Sequence, residues 1–387
     1  MIKQGCKTSS QHICSLLRCK GTTASDLSDS IGTTLKAGAR SILILASNND
    51  NWSPETTNGI LQAIPVPVFG ASFPALLHNR EILHSGTLVI GFSESVEISI
   101  ISRLSTDQEM IDEQLNHSFS CKPDNKTLLT FVDALTTQTE YFVDSLYNRT
   151  GSDVRIIGAC AGSLDFIQKP CVFTNTGLLE DAAVLVQIPF EINPGVQHGW
   201  KTLDGPYLVT SSNNNQIETL NYKPALEVYR QALKNKTGLE FSDDDFYSAA
   251  KIYPLGIVHL DDEFIVRDPL KIHQQSLVCA GHIPENSMIY ILQGEIEELC
   301  KSSHQAAREA RNAHDLASPD MTPSAMVIDC VSRLLFLDRE FDQEIEAIVS
   351  GAGDVTHLFG ALTLGEILSA KTGSANLLNK TTVVGVF

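Results

Sequence analysis

Three segments of the chain repeat one order of apolar runs, and this repeat constrains the fold more than any other feature. Each segment has an apolar run, a stretch with helical spacing, an apolar run containing a glycine, and a third apolar run. The runs are SILILAS, PVPVFGAS and GTLVIGF at 41–47, 65–72 and 86–92; LLTFVDA, RIIGACAGS and DAAVLVQIPF at 128–134, 155–163 and 181–190; and AMVIDCVSRLLFL, HLFGALTLGE and NKTTVVGVF at 325–337, 357–366 and 379–387. Such alternation predicts an α/β (mixed α+β), two-lobed fold of repeated strand-helix-strand units, whose mixed sheets pack with helices.

A glycine occupies the same place in the second run of each copy, at Gly70, Gly158 and Gly360. Glycine is favoured where a backbone needs positive φ or a close approach, so we expect three equivalent turns at strand ends. A phosphate-binding loop is the less favoured alternative, because no Lys-Ser/Thr pair follows these glycines.

The spacing Gly158-x-Cys160-x-Gly162 also matches the turn on which hydrolases present a nucleophile. The positions that correspond to Cys160 in the other copies hold Ser72 and Leu362, and a leucine cannot act as a nucleophile. We therefore predict that Cys160 is a buried structural residue and not a catalyst.

The region between the second and third copies has a different pattern. It predicts a helix in YKPALEVYRQAL, two strands around an acidic turn at 261–262, two strands around 284–286, and a long helix over about 294–316. The Glu, Lys, Arg and Ala content of the long helix predicts that it faces solvent.

Composition narrows the possible partners. The 387 residues carry a formal net charge of −18 and are 43% hydrophobic, which is typical of a folded chain of two coupled domains. Nucleic acid and anionic membrane surfaces would be repelled by this charge. No apolar run approaches the roughly 20 residues that span a bilayer, and no signal-peptide core is present. A cytoplasmic location with reduced cysteines is the expectation.

In order and spacing, these motifs resemble the FIST sensory domain family. The residues that carry the resemblance are PVFGAS, FVDAL with IIGACAGS, GVQHGW, PALEVYRQAL, VRDPL, DCVSRLLFL, and LTLGEI with NKTTVVGVF. The resemblance implies an N-terminal segment at 1–20, an N-terminal half at 21–220 and a C-terminal half at 221–387. It also implies that the chain is not an enzyme but a ligand sensor of the standalone, nitric-oxide sensing type that binds haem. Such a sensor regulates a separate histidine kinase or cyclic-di-GMP enzyme, such as a diguanylate cyclase or phosphodiesterase.

A haem sensor needs an axial ligand, an apolar slot and groups that pair with the propionates or the gas. His198 is our candidate metal ligand, because the glycines of GVQHGW let backbone approach a flat ligand and Trp200 offers a wide apolar face. Arg267 is the candidate cation. The competing interpretations are a packed loop with a hydrogen-bonded His198, and an ion pair of Arg267 with Asp268 or Asp262.

Two other functions stay open at this point. The first is a haem-free sensor of a small metabolite, for instance an amino acid or its derivative, that uses the same cleft. The second is a thiol enzyme that uses Cys160. The partner and the oligomeric state, for which a homodimer is one option, do not follow from the sequence.

Overall fold

The three repeated segments form three sheets, and a fourth sheet lies in a separate lobe. The computed structural model describes residues 11–119, 127–259, 264–369 and 373–387. The fold class predicted from the repeat, mixed α/β, is confirmed. The predicted acidic turn at 261–262 lies outside the described residues.

The first two repeats have the same order of elements. The first contains β1 (Ile13–Arg18), α1 (Ala24–Lys36), β2 (Ser41–Ser47), α2 (Pro54–Gln62), β3 (Val68–Phe73), β4 (Ala75–His78), β5 (Glu81–Leu83) and β6 (Thr87–Phe92). The second contains β7 (Glu97–Ser102), α3 (Gln108–Ser118), β8 (Thr127–Asp133), α4 (Thr139–Thr150), β9 (Arg155–Ala161), β10 (Val172–Thr174), β11 (Gly177–Leu179) and β12 (Ala182–Ile188).

The third repeat has the same order apart from one additional helix after its second strand, and it is interrupted by a lobe, residues 201–293, after its first strand, β13 (Asn193–Gln197). This inserted lobe contains β14 (Lys201–Asn213), β15 (Gln216–Leu220), β16 (Lys223–Pro224), α5 (Ala225–Thr237), α6 (Phe246–Ala250), β17 (Leu255–Val258), β18 (Phe264–Arg267), β19 (Pro269–His273), β20 (Ser276–Cys279) and β21 (Met288–Gln293). The repeat resumes with α7 (Ile296–Ala317), β22 (Ala325–Cys330), α8 (Val331–Leu337), α9 (Phe341–Ala352), β23 (Leu358–Thr363), β24 (Glu366–Ser369), β25 (Ala375–Leu378) and β26 (Thr382–Val386). The predicted boundary between residues 220 and 221 falls inside the inserted lobe.

Each repeat completes its sheet with a hairpin from another repeat. The strand orders are β1-β6-β2-β3-β10-β11, β7-β12-β8-β9-β24-β25 and β13-β26-β22-β23-β4-β5. The hairpin of the first repeat thus joins the third sheet, that of the second joins the first sheet, and that of the third joins the second sheet. This cyclic exchange links the repeats into one unit, which we call the three-sheet body.

One face of each sheet contributes to a shared apolar core, and the other face is covered by helices. Phe69, Ile157 and Phe359, each one residue before the glycine of its repeat, all lie in the shared core. The residues just before them, Val68 and its counterparts, pack against the outer helices. Each fully buried side chain of this size stabilises the fold by about 1.5–3 kcal/mol.

The repeated glycines lie in strand interiors, so the prediction of turns was wrong. Gly70, Gly158 and Gly360 stand opposite β2, β8 and β22 in equivalent registers. A Cβ atom at Gly360 would lie 2.0 Å from the carbonyl oxygen of Val327 on the neighbouring strand, and one at Gly70 would lie 1.9 Å from that of Ile44. The glycines are needed for close approach of the backbone, as predicted, but the approach is between two neighbouring parallel strands and not within a turn.

The long helix was predicted to face solvent, and α7 instead buries one face against α9 and β13. Ala306 and Ala310 are fully buried, as is Ser303. Glycines on both neighbours allow this contact, because a Cβ at Gly195 would lie 1.9 Å from the Ala306 carbonyl oxygen and one at Gly351 would also clash with α7. Small side chains at the contact let the backbones approach closely, and the amino-acid composition of α7 alone could not show that this face is buried.

A membrane-spanning helix would need a long and continuous apolar stretch. None of the helices in the described ranges meets that requirement.

We expect Gly360→Ala to lower the free energy of unfolding by about 3 kcal/mol, because the added methyl group overpacks the strand pair. Gly59→Ala is the matched control, since Gly59 lies in α2 with open space around it and alanine favours helix. Urea denaturation of both variants measures the difference. Equal unfolding midpoints would show that the strand pair tolerates a side chain at this position.

Candidate functional site

A cavity of about 250 Å³ lies where the inserted lobe meets the carboxyl ends of β22 and β23. Ligands of α/β folds commonly bind at the carboxyl ends of parallel strands. Its walls come from the loop after β9, the inserted lobe, the junction of β22 with α8, and the segments after β23 and β25. The lining residues are Leu164, Phe166, Tyr247, Asp268, Leu270, Ala280, Cys330, Val331, Ser332, Leu335, Leu364 and Asn379.

The cavity is mainly apolar but contains two buried acceptors that lack hydrogen bonds. Asp268 and Asn379 are 3% and 2% exposed, and within the described residues the Oδ1 atom of each accepts no hydrogen bond. Asp268 Oδ1 lies 3.3 Å from Lys380 Nζ, so the two form an ion pair without an aligned hydrogen bond. A buried acceptor without a donor costs about 1–3 kcal/mol. A ligand that donates hydrogen bonds here would remove that cost.

Four of the sequence motifs contribute lining residues to this cavity, and a fifth directly precedes one, although the motifs are dispersed along the chain. Leu164 follows IIGACAGS directly, and Asp268 lies in VRDPL. Cys330, Leu364 and Asn379 belong to DCVSRLLFL, LTLGEI and NKTTVVGVF. The motifs were recognised in the sequence, but the lining residues in them were not chosen as site residues. Asp268 was considered only as a partner of Arg267.

In each of the other two repeats, the residue at the corresponding position is hydrogen-bonded to a neighbouring segment of the same repeat. Through the register of the repeated glycines, Cys330 corresponds to Ser47 and Asp133. The Ser47 hydroxyl donates to the His84 carbonyl oxygen over 2.7 Å. The Asp133 carboxylate accepts from the backbone N–H of Asp181 over 2.8 Å. The cavity lined by the inserted lobe lies at the third of these three positions.

Behind the cavity lies a fully buried cluster of charges centred on Arg333. Its Nε donates to Glu344 Oε1 over 2.7 Å and lies 3.4 Å from Asp329 Oδ1. Nη1 donates to the carbonyl oxygens of His198 and Lys380. Burial, and next the charge of Glu344, raise the pKa of Asp329 well above its usual range. The cluster therefore fixes the loop of His198 and the segment of Lys380 to α8.

Lys380 connects this cluster with the cavity. Its side chain is fully buried, and Nζ donates to the Lys251 carbonyl oxygen over 3.1 Å and lies 4.8 Å from the centre of the Trp200 ring. Burial raises the pKa of Asp268, its partner across the cavity wall. A change of charge at Asp268 would therefore weaken or strengthen its ion pair with Lys380. A resulting shift of Lys380 would alter the hydrogen bond that its carbonyl oxygen accepts from Arg333.

His198, the predicted axial ligand, does not line the cavity. Its Nδ1 accepts the backbone N–H of Trp200 over 3.0 Å. Burial, and next the positive charge of Arg333, lower the pKa of His198 to about 4, so its imidazole is neutral at pH 7. Trp200 is buried, packs 5.2 Å from Phe336 between ring centres, and donates through Nε1 to the Lys380 carbonyl oxygen.

Arg267, the predicted propionate partner, is buried and engaged on all three nitrogens. Nη2 pairs with Glu140 Oε1 at 2.9 Å, Nη1 donates to the Leu377 carbonyl oxygen at 2.9 Å, and Nε donates to that of His282 at 3.1 Å. Its ion-pair partner is thus Glu140 of α4 rather than the alternative partner Asp268, and the other alternative, Asp262, lies outside the described residues. The pairing ties the inserted lobe to the three-sheet body.

His198, Trp200 and Arg267, the predicted haem-binding residues, are each engaged by protein groups in this arrangement. Trp200 presents its faces to Lys380 and Phe336, and the nitrogens of Arg267 are occupied. None of the three lines the cavity. Axial ligation of iron by His198 stays a prediction that spectroscopy must decide.

Cys160 lies in the interior of β9 and is 2% exposed. Burial, and next the nearby Glu366 and Asp133, raise the pKa of its thiol far above the usual range. A nucleophilic cysteine needs the opposite, a lowered pKa and an accessible thiolate. The environment of Cys160 is therefore that of a packed strand residue.

Two family models match the chain and together span most of it. The FIST N domain matches residues 41–223, and the FIST C domain matches residues 225–369. No curated protein matches the chain. The resemblance drawn from the motifs is confirmed at the level of the family.

We expect His198 to make stability depend on pH between about 4 and 6.5. The folded-state pKa of about 4 lies below the unfolded value, so the stabilisation is fully present above pH 6.5 and is lost as pH falls towards 4. The difference corresponds to about 3 kcal/mol. His198→Asn keeps an acceptor for the Trp200 N–H but does not titrate. Urea denaturation at pH 7 and pH 4.5 should show a smaller acid-induced loss in this variant, and parallel losses in both proteins would contradict the assignment.

Proposed function

Since the chain belongs to the FIST family, whose domains are ligand-sensing signalling domains, we propose that the cavity beside β22 and β23 is its sensing site. The observation that carries this proposal is the convergence of four family-like motifs on one cavity that contains two buried acceptor atoms without hydrogen bonds. The family is sensory rather than catalytic, and the buried Cys160 is consistent with that role.

The chemistry of the cavity favours a small metabolite that has a hydrogen-bond donor at one end and an apolar group at the other. Asn379 Oδ1 has no donor in the described structure, and Asp268 Oδ1 has the Lys380 ammonium group but no aligned hydrogen bond. The Ser332 hydroxyl group lies beside them, 3.2 Å from Cys330 Sγ. Leu270, Leu335 and the remaining apolar lining residues surround the rest of the space. An ammonium group placed at Asp268 meets these requirements, so the proposed ligand is an amino acid derivative or another primary amine.

The signal would pass through the contacts that join the inserted lobe to the body. Arg267 and Asp268 are adjacent residues of the lobe, and each pairs with an opposite charge of the body, Glu140 and Lys380. A cationic ligand at Asp268 competes with Lys380 for the same carboxylate. A ligand shifts the balance between two conformations only if it binds them unequally, and this competition supplies such a difference.

We expect 2-phenylethylamine to bind the protein and 3-phenylpropanoate, of similar size and opposite charge, to bind much more weakly. Asp268→Asn should weaken binding of the amine at least tenfold, because it removes the charge that pairs with the ammonium group. Asp243→Asn is the matched control, since Asp243 is an exposed acid of the same lobe. Isothermal titration calorimetry measures both ligands with the wild type and with each of the two variants. Equal affinities for Asp268→Asn and wild type, or a preference for the carboxylate, would reject the proposed ligand class.

A haem-bound nitric-oxide sensor that regulates a histidine kinase or a cyclic-di-GMP enzyme is the second candidate. The observation in its favour is that burial keeps the His198 imidazole neutral at pH 7. Because Nδ1 accepts the Trp200 N–H, the proton is on Nε2, and iron ligation through Nε2 would require the loss or transfer of that proton.

The test is an absorption spectrum of the protein reconstituted with ferrous haem. The second candidate predicts a Soret band that is lost or shifted in His198→Ala and unchanged in His304→Ala, whose ring contacts the Ala347 carbonyl oxygen on α9. A wild-type protein that takes up no haem would remove this candidate and leave the metabolite sensor.

A further inference from the structure

The connection between β9 and β10 is much longer than its two counterparts in the other repeats. The first repeat joins β3 to β4 through Pro74 alone, and the third joins β23 to β24 through Leu364 and Gly365. The second repeat uses ten residues, 162–171, which we call the β9–β10 loop. Because one or two residues suffice elsewhere, the fold itself does not require this length.

The extra residues lie at the mouth of the cavity and expose apolar side chains. Leu164 and Phe166 line the cavity but are 43% and 52% exposed, and Ile167 is 57% exposed without lining it. The backbone of Phe166 has φ of 52°, a left-handed conformation that is uncommon for a bulky residue. Three exposed large apolar side chains within four residues indicate a surface that becomes covered in another state.

The tip of the loop is held by its own residues and, at Gln168, by a hydrogen bond that its side-chain amide donates to the Asp133 carboxylate of the body. Asp165 accepts the backbone N–H of Ile167 over 3.0 Å and pairs with Lys169 Nζ at 2.6 Å. At the base, the Gly162 N–H donates to the Ser72 carbonyl oxygen over 3.0 Å. Leu164 and Phe166 lie between the two anchored positions, Gly162 and Gln168, so this short segment can change its angle to the cavity while its ends stay in place.

We propose that Leu164 and Phe166 are specificity-determining residues, and that the β9–β10 loop closes over the apolar end of a ligand whose donor end binds Asp268 and Asn379. This inference rests on the proposed sensing function of the cavity. Closure would bury side chains that are now exposed, so an apolar tail long enough to reach Phe166 favours the closed loop. The cavity would then select primary amines by the length of the tail.

The test measures the affinities of propylamine, butylamine, pentylamine and hexylamine by calorimetry. In the wild type, affinity should rise about fourfold with each added methylene group. Phe166→Ala should weaken hexylamine binding about tenfold and leave propylamine binding unchanged. Ile167→Ala is the matched control, because Ile167 is the neighbouring exposed residue that does not line the cavity.

A second measurement follows the loop directly. Chymotrypsin should cut after Phe166 in the free protein, and saturating hexylamine should slow this cleavage at least fivefold, whereas propylamine should not. If the amines bind but the two alanine variants behave alike and cleavage is unaffected, the loop inference is wrong and the sensing cavity stands. If no amine binds to the wild-type protein, the proposed function fails and the loop inference fails with it.

Discussion

The exchange of hairpins among the three sheets is the constraint on which the rest of the structure depends. Each sheet takes its last two strands from another repeat, so no repeat can complete its sheet alone. The strand β3 that ends the first parallel pair, for example, is covered at its edge by β10 of the second repeat. The three-sheet body therefore forms only when all three repeats are in place, and its shared core follows from that closure.

The exchange of hairpins also helps to explain why the cavity lies in the third repeat. In the first two repeats, the carboxyl end of the first strand of the parallel pair is satisfied by nearby chain, as for Ser47 and Asp133. The third repeat carries the inserted lobe between β13 and α7, and the lobe forms one wall of a cavity at this point. The three repeats thus provide three similar positions, and at one of them the inserted lobe encloses a cavity.

Buried ion pairs lie in the cavity wall and directly behind it. Lys380 and Arg333 lie among Asp268, Asp329 and Glu344, and burial raises the pKa of Asp268 and Asp329. Paired charges in a dry interior are costly to rearrange, because a partner left alone loses both its ion pair and its solvation. A ligand that changes one pair at the cavity wall therefore affects the contacts between the lobe and the body.

The sequence by itself determined the repeat, the α/β class, the positions of most strands and the motifs of the family, because apolar periodicity and glycine spacing are local properties. It did not determine which residues meet. The pairing of Arg267 with Glu140, and of Asp268 with Lys380, joins residues more than a hundred positions apart, and no local pattern encodes such a contact. The same reason explains the two errors. A glycine needed for approach across a strand pair looks like a turn, and an alanine-rich helix that packs closely looks solvent-facing until its neighbours are known.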